Sequence, residues 1–497
     1  MTALVNEKAI ADEKAKVDEK AVVDAPTVPR RWLGLFAILT ATLMNLLDAS
    51  IVNVALPVIR TDLGGSYATL QWIAASYTLV LAMGLLTGGR LGDMYGRYRM
   101  LMYGLAGFLA ASVLCGIAWS PGSLVTGRVL QALFAAVMVP QCFGLIRDLF
   151  PGKEQAKAWG VFGPSIGLAS ILGPVVAGLL IKADLFGSGW RMIFLINLVL
   201  GAFTLIAGRS SLPRAGGDRT GGLDLVGTGL AGLAMALLVY PLIQGREHGW
   251  PAWTFLMLAA SVAVFVVFAW QQVHRKAAGA APLIELSVFA RRSYTSGVLF
   301  VIVFLGALMG FSLAVGLMLQ LGLHYSPIGA SLAMAPWAIG AFVGSAVGAM
   351  APQLGRKSLH IGLSIMAVGT VGLLLVFDTS GIGLGSWNLL APLLICGIGM
   401  GMIFVPMYDI IMGEIQDHEV GTAAGALESF QQLGAALGVA ALGTVFFDRF
   451  TDPARDLTAL KQGALAAAEQ VTLISLGLFA LAFLVGFLLP RKARQTH

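Results

Sequence analysis

The stretch GGRLGDMYGRYRM, residues 88–100, joins two long apolar runs and concentrates charge where the chain otherwise has little. It holds Arg90, Asp93, Arg97 and Arg99, although only 12% of the 497 residues are charged and 57% are hydrophobic. A soluble domain carries about 25% charge. With a mean hydropathy of +0.83, this chain has more apolar surface than a water-soluble core can hide. Lipid is then the solvent, and spans that leave no backbone group unpaired must be helices. Glycine and arginine between two such runs read as a tight turn at a membrane surface.

Crossing the hydrocarbon takes about 20 apolar residues per helix. That length predicts fourteen spans: 32–57, 68–88, 99–119, 122–147, 155–181, 190–209, 223–243, 252–272, 294–323, 327–351, 358–377, 387–412, 421–447 and 470–489. Cys115, Cys142 and Cys396 all lie inside these runs and read as small buried hydrophobes, not as a disulfide or metal set. Residues 1–31 are mixed in charge, lack the apolar core of a signal peptide, and read as a cytoplasmic tail. Residues 490–497 read as a second one.

An even number of spans puts both termini on one side. If that side is cytoplasmic, the outer connections carry Arg60, Lys182, Arg191, Arg246, Arg449, Arg455 and Lys461. Most of the 32 Lys and Arg fall on the other side, including Arg90, Arg97, Arg99, Arg147, Lys153, Arg291, Arg356 and Lys357. The bias of basic residues toward the cytoplasm therefore predicts cytoplasmic termini.

The opening stretch has an echo. Gly89-xxx-Asp93-xx-Gly96-Arg97 follows the second span, and Gly348-xxx-Pro352-xx-Gly355-Arg356 follows the tenth. The glycine spacing is kept and the aspartate is lost. The repeat predicts two six-helix halves, 32–210 and 293–489, with two extra spans inserted at 211–292. Paired halves around a central site describe a secondary transporter of the alternating-access kind.

Further motifs fall into the same order along the chain: LLDASIVNVALP (46–57), LVTGRVLQALFAA (124–136), GLASILGPVVAG (167–178), GWRMIFLINLVLG (189–201), LDLVGTGLAGLAM (223–235) and LGLHYSPIGASLAMAP (321–336). With the 88–100 turn, they resemble the fourteen-span drug:proton antiporters of the major facilitator superfamily over about residues 32–489. Met94 and Tyr98 stand where that family is usually basic. The resemblance implies an all-α membrane protein of the major facilitator fold, in a bacterial cell membrane. It implies a proton-coupled exporter of hydrophobic, often cationic, drugs. It also assigns Gly89, Asp93, Gly96 and Arg97 to a cytoplasmic gate latch. Gly173, Pro174 and Gly178 become the bend and packing seam of the antiporter motif.

Charges inside the spans are functional by default, because burying them ionised is costly. Asp48, Asp409 and Glu428 are the acidic ones. Asp48 lies about nine residues, roughly 13 Å, from the outer end of its span, and Arg128 about six residues, roughly 9 Å, at about 1.5 Å per residue. They can share a depth, so Asp48 and Arg128 are expected in one polar cluster that titrates during transport, with Asp409 and Glu428 as a cation-attracting or second proton-carrying pair. Asn45, Trp72, Tyr77, Gln131, Gln141, Phe311, Gln320, Trp337, Met407 and Gln431 are the expected substrate walls. The extra pair of spans shows no chemistry of its own.

Enzyme signatures are missing from the sequence: it has no P-loop, no HExxH and no apposed Cys/His set. An ion gradient, of protons or of sodium, is then the expected energy source, with no cofactor and no metal. The expected partners are a small drug molecule, protons and membrane lipid, with no nucleic acid, and the expected state is a monomer. A lipid, a metabolite or a single antibiotic remains an alternative cargo on the same machine.

Overall fold

A computed structural model describes residues 30–150, 158, 173, 175–214, 216–217, 222–280, 282–350, 354–415, 420–450 and 457–490. The first half comprises α1 Arg31–Leu63, α2 Tyr67–Tyr95, α3 Arg97–Gly116, α4 Pro121–Leu149, α5 (175–183) and α6 Met192–Ser211. Next come α7 Leu225–Gln244 and α8 Ala252–Ala277. The second half comprises α9 Arg292–Leu317, α10 Pro327–Met350, α11 Arg356–Ser380, α12 Ser386–Met412, α13 Val420–Arg449 and α14 Leu457–Gly486. Among the described residues, thirteen helices are long and apolar enough to cross a membrane. Most of the expected fifth span, Pro174 included, lies outside the described residues, as do both tails.

Local chemistry starts and stops these helices. Ser66 accepts from the Thr69 N–H at the start of α2, and Ser120 and Ser123 form a capping box ahead of α4. Asp224 caps α7 through the Gly227 N–H at 2.9 Å. The turn between α2 and α3 is one residue, Gly96, at φ +95°. Its counterpart ahead of α11 is Gly355, at φ +48°. Both conformations lie where a side chain is strained, which accounts for the repeated glycine of the two turns.

Two boundaries differ most from expectation. The second helix runs on to Tyr95, so Gly89 and Asp93 are helical and only Gly96 turns. The last helix begins at Leu457, not near residue 470, so Lys461 is helical rather than part of a connection. The extra turns are alanine-rich (ALKQGALAAA, 459–468), a strong helix former that a hydropathy ruler undervalues. They also have a partner. Gly322, at the end of the π turn Met318–Gly322 that closes α9, packs directly against Ala464.

The halves repeat each other's packing. In the first, α4 lies against α1, α2 and α3, while α6 lies against α1 and α3. In the second, α12 lies against α9, α10 and α11, while α14 lies against α9 and α11. Small residues bring helices nearly into backbone contact in both. Gly84 and Gly88 of α2 meet Ala136 of α4, and Gly340 and Gly344 of α10 meet the Leu394 and Ile398 carbonyls of α12.

Two seams join the halves. On one, α2 runs antiparallel to α13. On the other, a methyl group added at Gly178 of α5 would sit 2.6 Å from Ile328 Cα of α10. The chain's described ends, Arg30 and Pro490, share one end of the bundle with Gly96, Gly355 and the start of α13. Trp32 against Phe150, Arg97 on Asp148 and Arg356 on the Leu489 carbonyl mark that end. The helix α8 is mostly exposed along its apolar length, as a lipid-facing span must be.

Candidate functional site

Five helices of the first half converge on one buried charge. Asp48 of α1 and Arg128 of α4 form an ion pair in which the side chains are 0% and 1% exposed. The same Arg128 Nη1 donates to Gln131 Oε1 at 2.8 Å, and its Nε donates to the Ile73 carbonyl of α2 at 3.4 Å. The guanidinium lies 4.1 Å from the Tyr77 ring centroid. Asp48 accepts two more hydrogen bonds on Oδ1, from Gln131 Nε2 at 2.7 Å and Asn197 Nδ2 of α6 at 2.9 Å. Ser112 of α3 accepts from both amides, at 2.9 and 3.2 Å. Tyr77 in turn donates to Asn45 at 2.6 Å.

No side-chain nitrogen or oxygen of this cluster is buried without a hydrogen-bond partner, which a charge buried in low dielectric requires. Arg128, Gln131 and Asn197 together give the Asp48 carboxyl three donors. Arg128 keeps the Gln131 and Ile73 oxygens and the Tyr77 ring as further partners. The pair can therefore loosen without stranding the guanidinium among hydrocarbon.

Asp48 and Arg128 meet at a shared depth, as expected from their positions along α1 and α4, with Asn45, Tyr77 and Gln131 packed around them. Sequence reasoning missed Asn197 and Ser112. Their signal was a lone polar side chain in an apolar run, which names no partner on another helix.

Other expected residues lie elsewhere. Asp93, in the last turn of α2, pairs at 3.4 Å with Arg97 across Gly96, and Arg97 also binds Asp148 at the end of α4 at 2.9 Å. Gly89 lies at ordinary contact from Pro140. Gly173 sits directly on Ser50, two residues beyond Asp48. Trp72 and Gln141 each have a packing partner of their own. Trp72 packs on Tyr240 of α7, with ring centroids 5.7 Å apart. Gln141 is 1% exposed and donates to the Gly88 carbonyl at 2.8 Å, filling the space beside Gly92.

In the second half, Phe311 and Trp337 meet edge to face with centroids 5.4 Å apart, and Met407 and Gln320 are buried. Glu428 is half-buried and accepts from Gln431 and Gln432 at 3.3 and 3.0 Å. Tyr408, 39% exposed, donates to Gln431 at 2.8 Å. Asp409 beside it is exposed. Neither Asp409 nor Glu428 is among the partners of Asp48. Among the described residues, no group of three or more His, Cys, Asp or Glu could hold a metal ion.

Residues 38–439 match the family described as Major Facilitator Superfamily. The chain belongs to that superfamily. It is a multi-pass membrane transporter and not an enzyme. A Streptomyces coelicolor protein named probable actinorhodin transporter is 45% identical over 424 residues, covering 85% of this chain and 73% of that protein. The multidrug efflux pump LfrA of Mycolicibacterium smegmatis is 30% identical over 451 residues, covering 90% and 87%. Among solved structures, a peptide transporter in complex with sulfate superposes with a TM-score of 0.61 at 19% identity, covering 92% of this chain and 95% of that one. That likeness speaks for the major facilitator fold alone.

Proposed function

We propose that this transporter is a proton-coupled antiporter that exports hydrophobic, often cationic, drug-like compounds by alternating access. One observation carries the reading: a carboxylate sealed among membrane helices with an arginine and two amides around it. Such a group is expensive to keep and stays where it works. Asp48 takes up a proton when its side of the bundle opens, and Arg128 then leans on Gln131, Ile73 and Tyr77. Release of that proton restores the pair. The proton gradient supplies the energy, without a cofactor.

The lysine and arginine bias argues for cytoplasmic termini in a cell membrane, and the transporter works there as a lipid-embedded monomer. The 88–100 stretch then lies on the cytoplasmic side, where Asp93 and Arg97 latch the closed gate. The aromatic pair Phe311–Trp337 and the Tyr408–Gln431–Glu428 group offer flat surfaces and negative charge to a cationic aromatic cargo.

A second reading, export of a single antibiotic, is favoured by the name of the 45%-identical relative. A host carrying the protein, challenged with a panel of dyes and antibiotics, separates the two. Resistance to many compounds supports the first, and resistance to one supports the second. Efflux should collapse with a protonophore and persist when sodium is replaced by choline. Asp48→Asn should abolish efflux and cargo-induced proton release while the protein still inserts. Unchanged proton release in that variant overturns the assignment of Asp48.

A further inference from the structure

Of the two extra helices, α7 lies on the α2–α13 seam and touches both sides of it, while α8 packs on α7. The contacts of α7 and the turn after it run the full length of α2. Near the termini end, Thr87 and Thr228 share a 2.7 Å hydrogen bond. Midway, Met83 lies against Gly232 of α7. Farther along, Trp72 packs on Tyr240. At the far end Glu247, in the α7–α8 turn, accepts from the Ala68 N–H at 3.2 Å. That N–H belongs to the first turn of α2, where donors lack intrahelical partners and a carboxylate also meets the positive end of the helix dipole.

The hold on α13 is narrower and lies at the far end. Thr444 Oγ1 donates at 2.7 Å to the carbonyl of Leu242, in the last turn of α7. The same hydroxyl accepts from Gln71 Nε2 of α2 at 3.4 Å. Gln71 crosses the seam and also donates to the Val439 and Ala440 carbonyls, at 3.3 and 3.1 Å. It fits because position 443 is glycine: a methyl group there would lie 2.5 Å from the Gln71 amide nitrogen. One turn toward the surface, Tyr67 stacks on Phe447 with centroids 4.4 Å apart. The pseudo-equivalent seam, α5 against α10, closes by backbone approach at Gly178.

We propose that α7–α8 is a clasp carried by the first half, and that its grip on Thr444, with Gln71 as the bolt, locks the α2–α13 seam at the end opposite the termini. When that end opens, α7 stays with α2, and the Leu242–Thr444 and Gln71 bonds are the ones that break. The pair inserted between the repeats thereby sets how readily one side of the transporter opens. Calling that side the outer, release side rests on the exporter reading; the lock itself does not.

Nitroxide labels at Thr61→Cys (first half), His248→Cys (clasp) and Asp448→Cys (second half) test it in purified, lipid-reconstituted protein by double electron–electron resonance. These positions are exposed and the native cysteines are buried. Thr444→Val removes both hydroxyl bonds at equal volume, Gln71→Leu removes the bolt, and Gly443→Ala displaces it. Each should raise the long-distance population for the 61–448 and 248–448 pairs by roughly five- to tenfold, the effect of one or two net hydrogen bonds. The 61–248 distribution should stay as it was. Unchanged 61–448 distances in both Gln71→Leu and Thr444→Val overturn the lock. Broadened 61–248 distances overturn the assignment of the clasp to the first half. The measurement uses no cargo and no gradient, so its failure is separate from failure of the exporter reading.

Discussion

In the first half, α1 and α4 hold Asp48 against Arg128 with amides from α4 and α6 around them. In the second half, the corresponding helices α9 and α12 bury Phe304, Phe311, Leu313, Leu393 and Met407. Among the described residues, the buried charged side chains are Asp48, Arg128 and Asp224, and α9–α14 contribute none. The packing of α4 and α6 on their neighbours is nonetheless matched by that of α12 and α14. Packing and chemistry are therefore separable here. The scaffold needs glycine rows and apolar faces, which both copies have, whereas the ion pair is an addition that only one copy carries.

The largest way to break this contrast is Arg128→Leu, which leaves Asp48 buried and uncompensated. It should lower stability by about 3–5 kcal/mol, read as thermal unfolding in detergent. The sharper test is Asp48→Leu with Arg128→Leu, which gives the first half the apolar filling of the second. Stability should return toward that of the wild type while transport stays absent. A double variant as unstable as the single one would show that the scaffold needs the charges after all.

Next come the turns that the halves share. Gly96→Ala and Gly355→Ala each force a side chain into positive φ, at about 1–3 kcal/mol apiece. Similar losses of unfolding temperature at both sites are expected, and a loss at one alone would separate the two turns.

A smaller effect tests the inserted pair. Asp224 is buried at the start of α7, which pushes its carboxyl up. The Gly227 N–H, Gln272, Gln271 and Arg275 outweigh that and hold it below the usual carboxylate range. Asp224→Ala should cost about 1 kcal/mol at neutral pH. A carboxyl held low contributes stability above its unfolded value, about 3.9, and loses it as pH falls through the folded one. The deficit should therefore hold from neutral pH down to about 4 and close below that. The smallest effect is expected for Lys276→Ala, whose pair with Glu285 is exposed, at no more than about 0.5 kcal/mol.

Much of this was legible in the sequence, for identifiable reasons. Helix rise turns residue counts into depth, so Asp48 and Arg128 could be matched without knowing the fold. The spacing of Gly89 and Gly96 against Gly348 and Gly355 exposed the repeat. Rotation about a helix axis was not legible. Nothing in the run around Trp72 says that α7 lies beside it, and nothing around Gln141 says that it fills the space beside Gly92. Asn197 was invisible as a partner of Asp48 because hydropathy marks where a helix lies, not which helices meet.

The glycine rows that press α2 onto α4 and α10 onto α12 carry one more implication. Where backbones touch, neither face can grow a side chain or swing aside, so each six-helix block must tilt as a unit. Evolutionary drift toward a new cargo is then barred from those contact lines. It has to be written on side chains that lie off those lines, such as the Phe311–Trp337 and Tyr408–Gln431–Glu428 groups, which makes these the places to look when sister proteins diverge in what they carry.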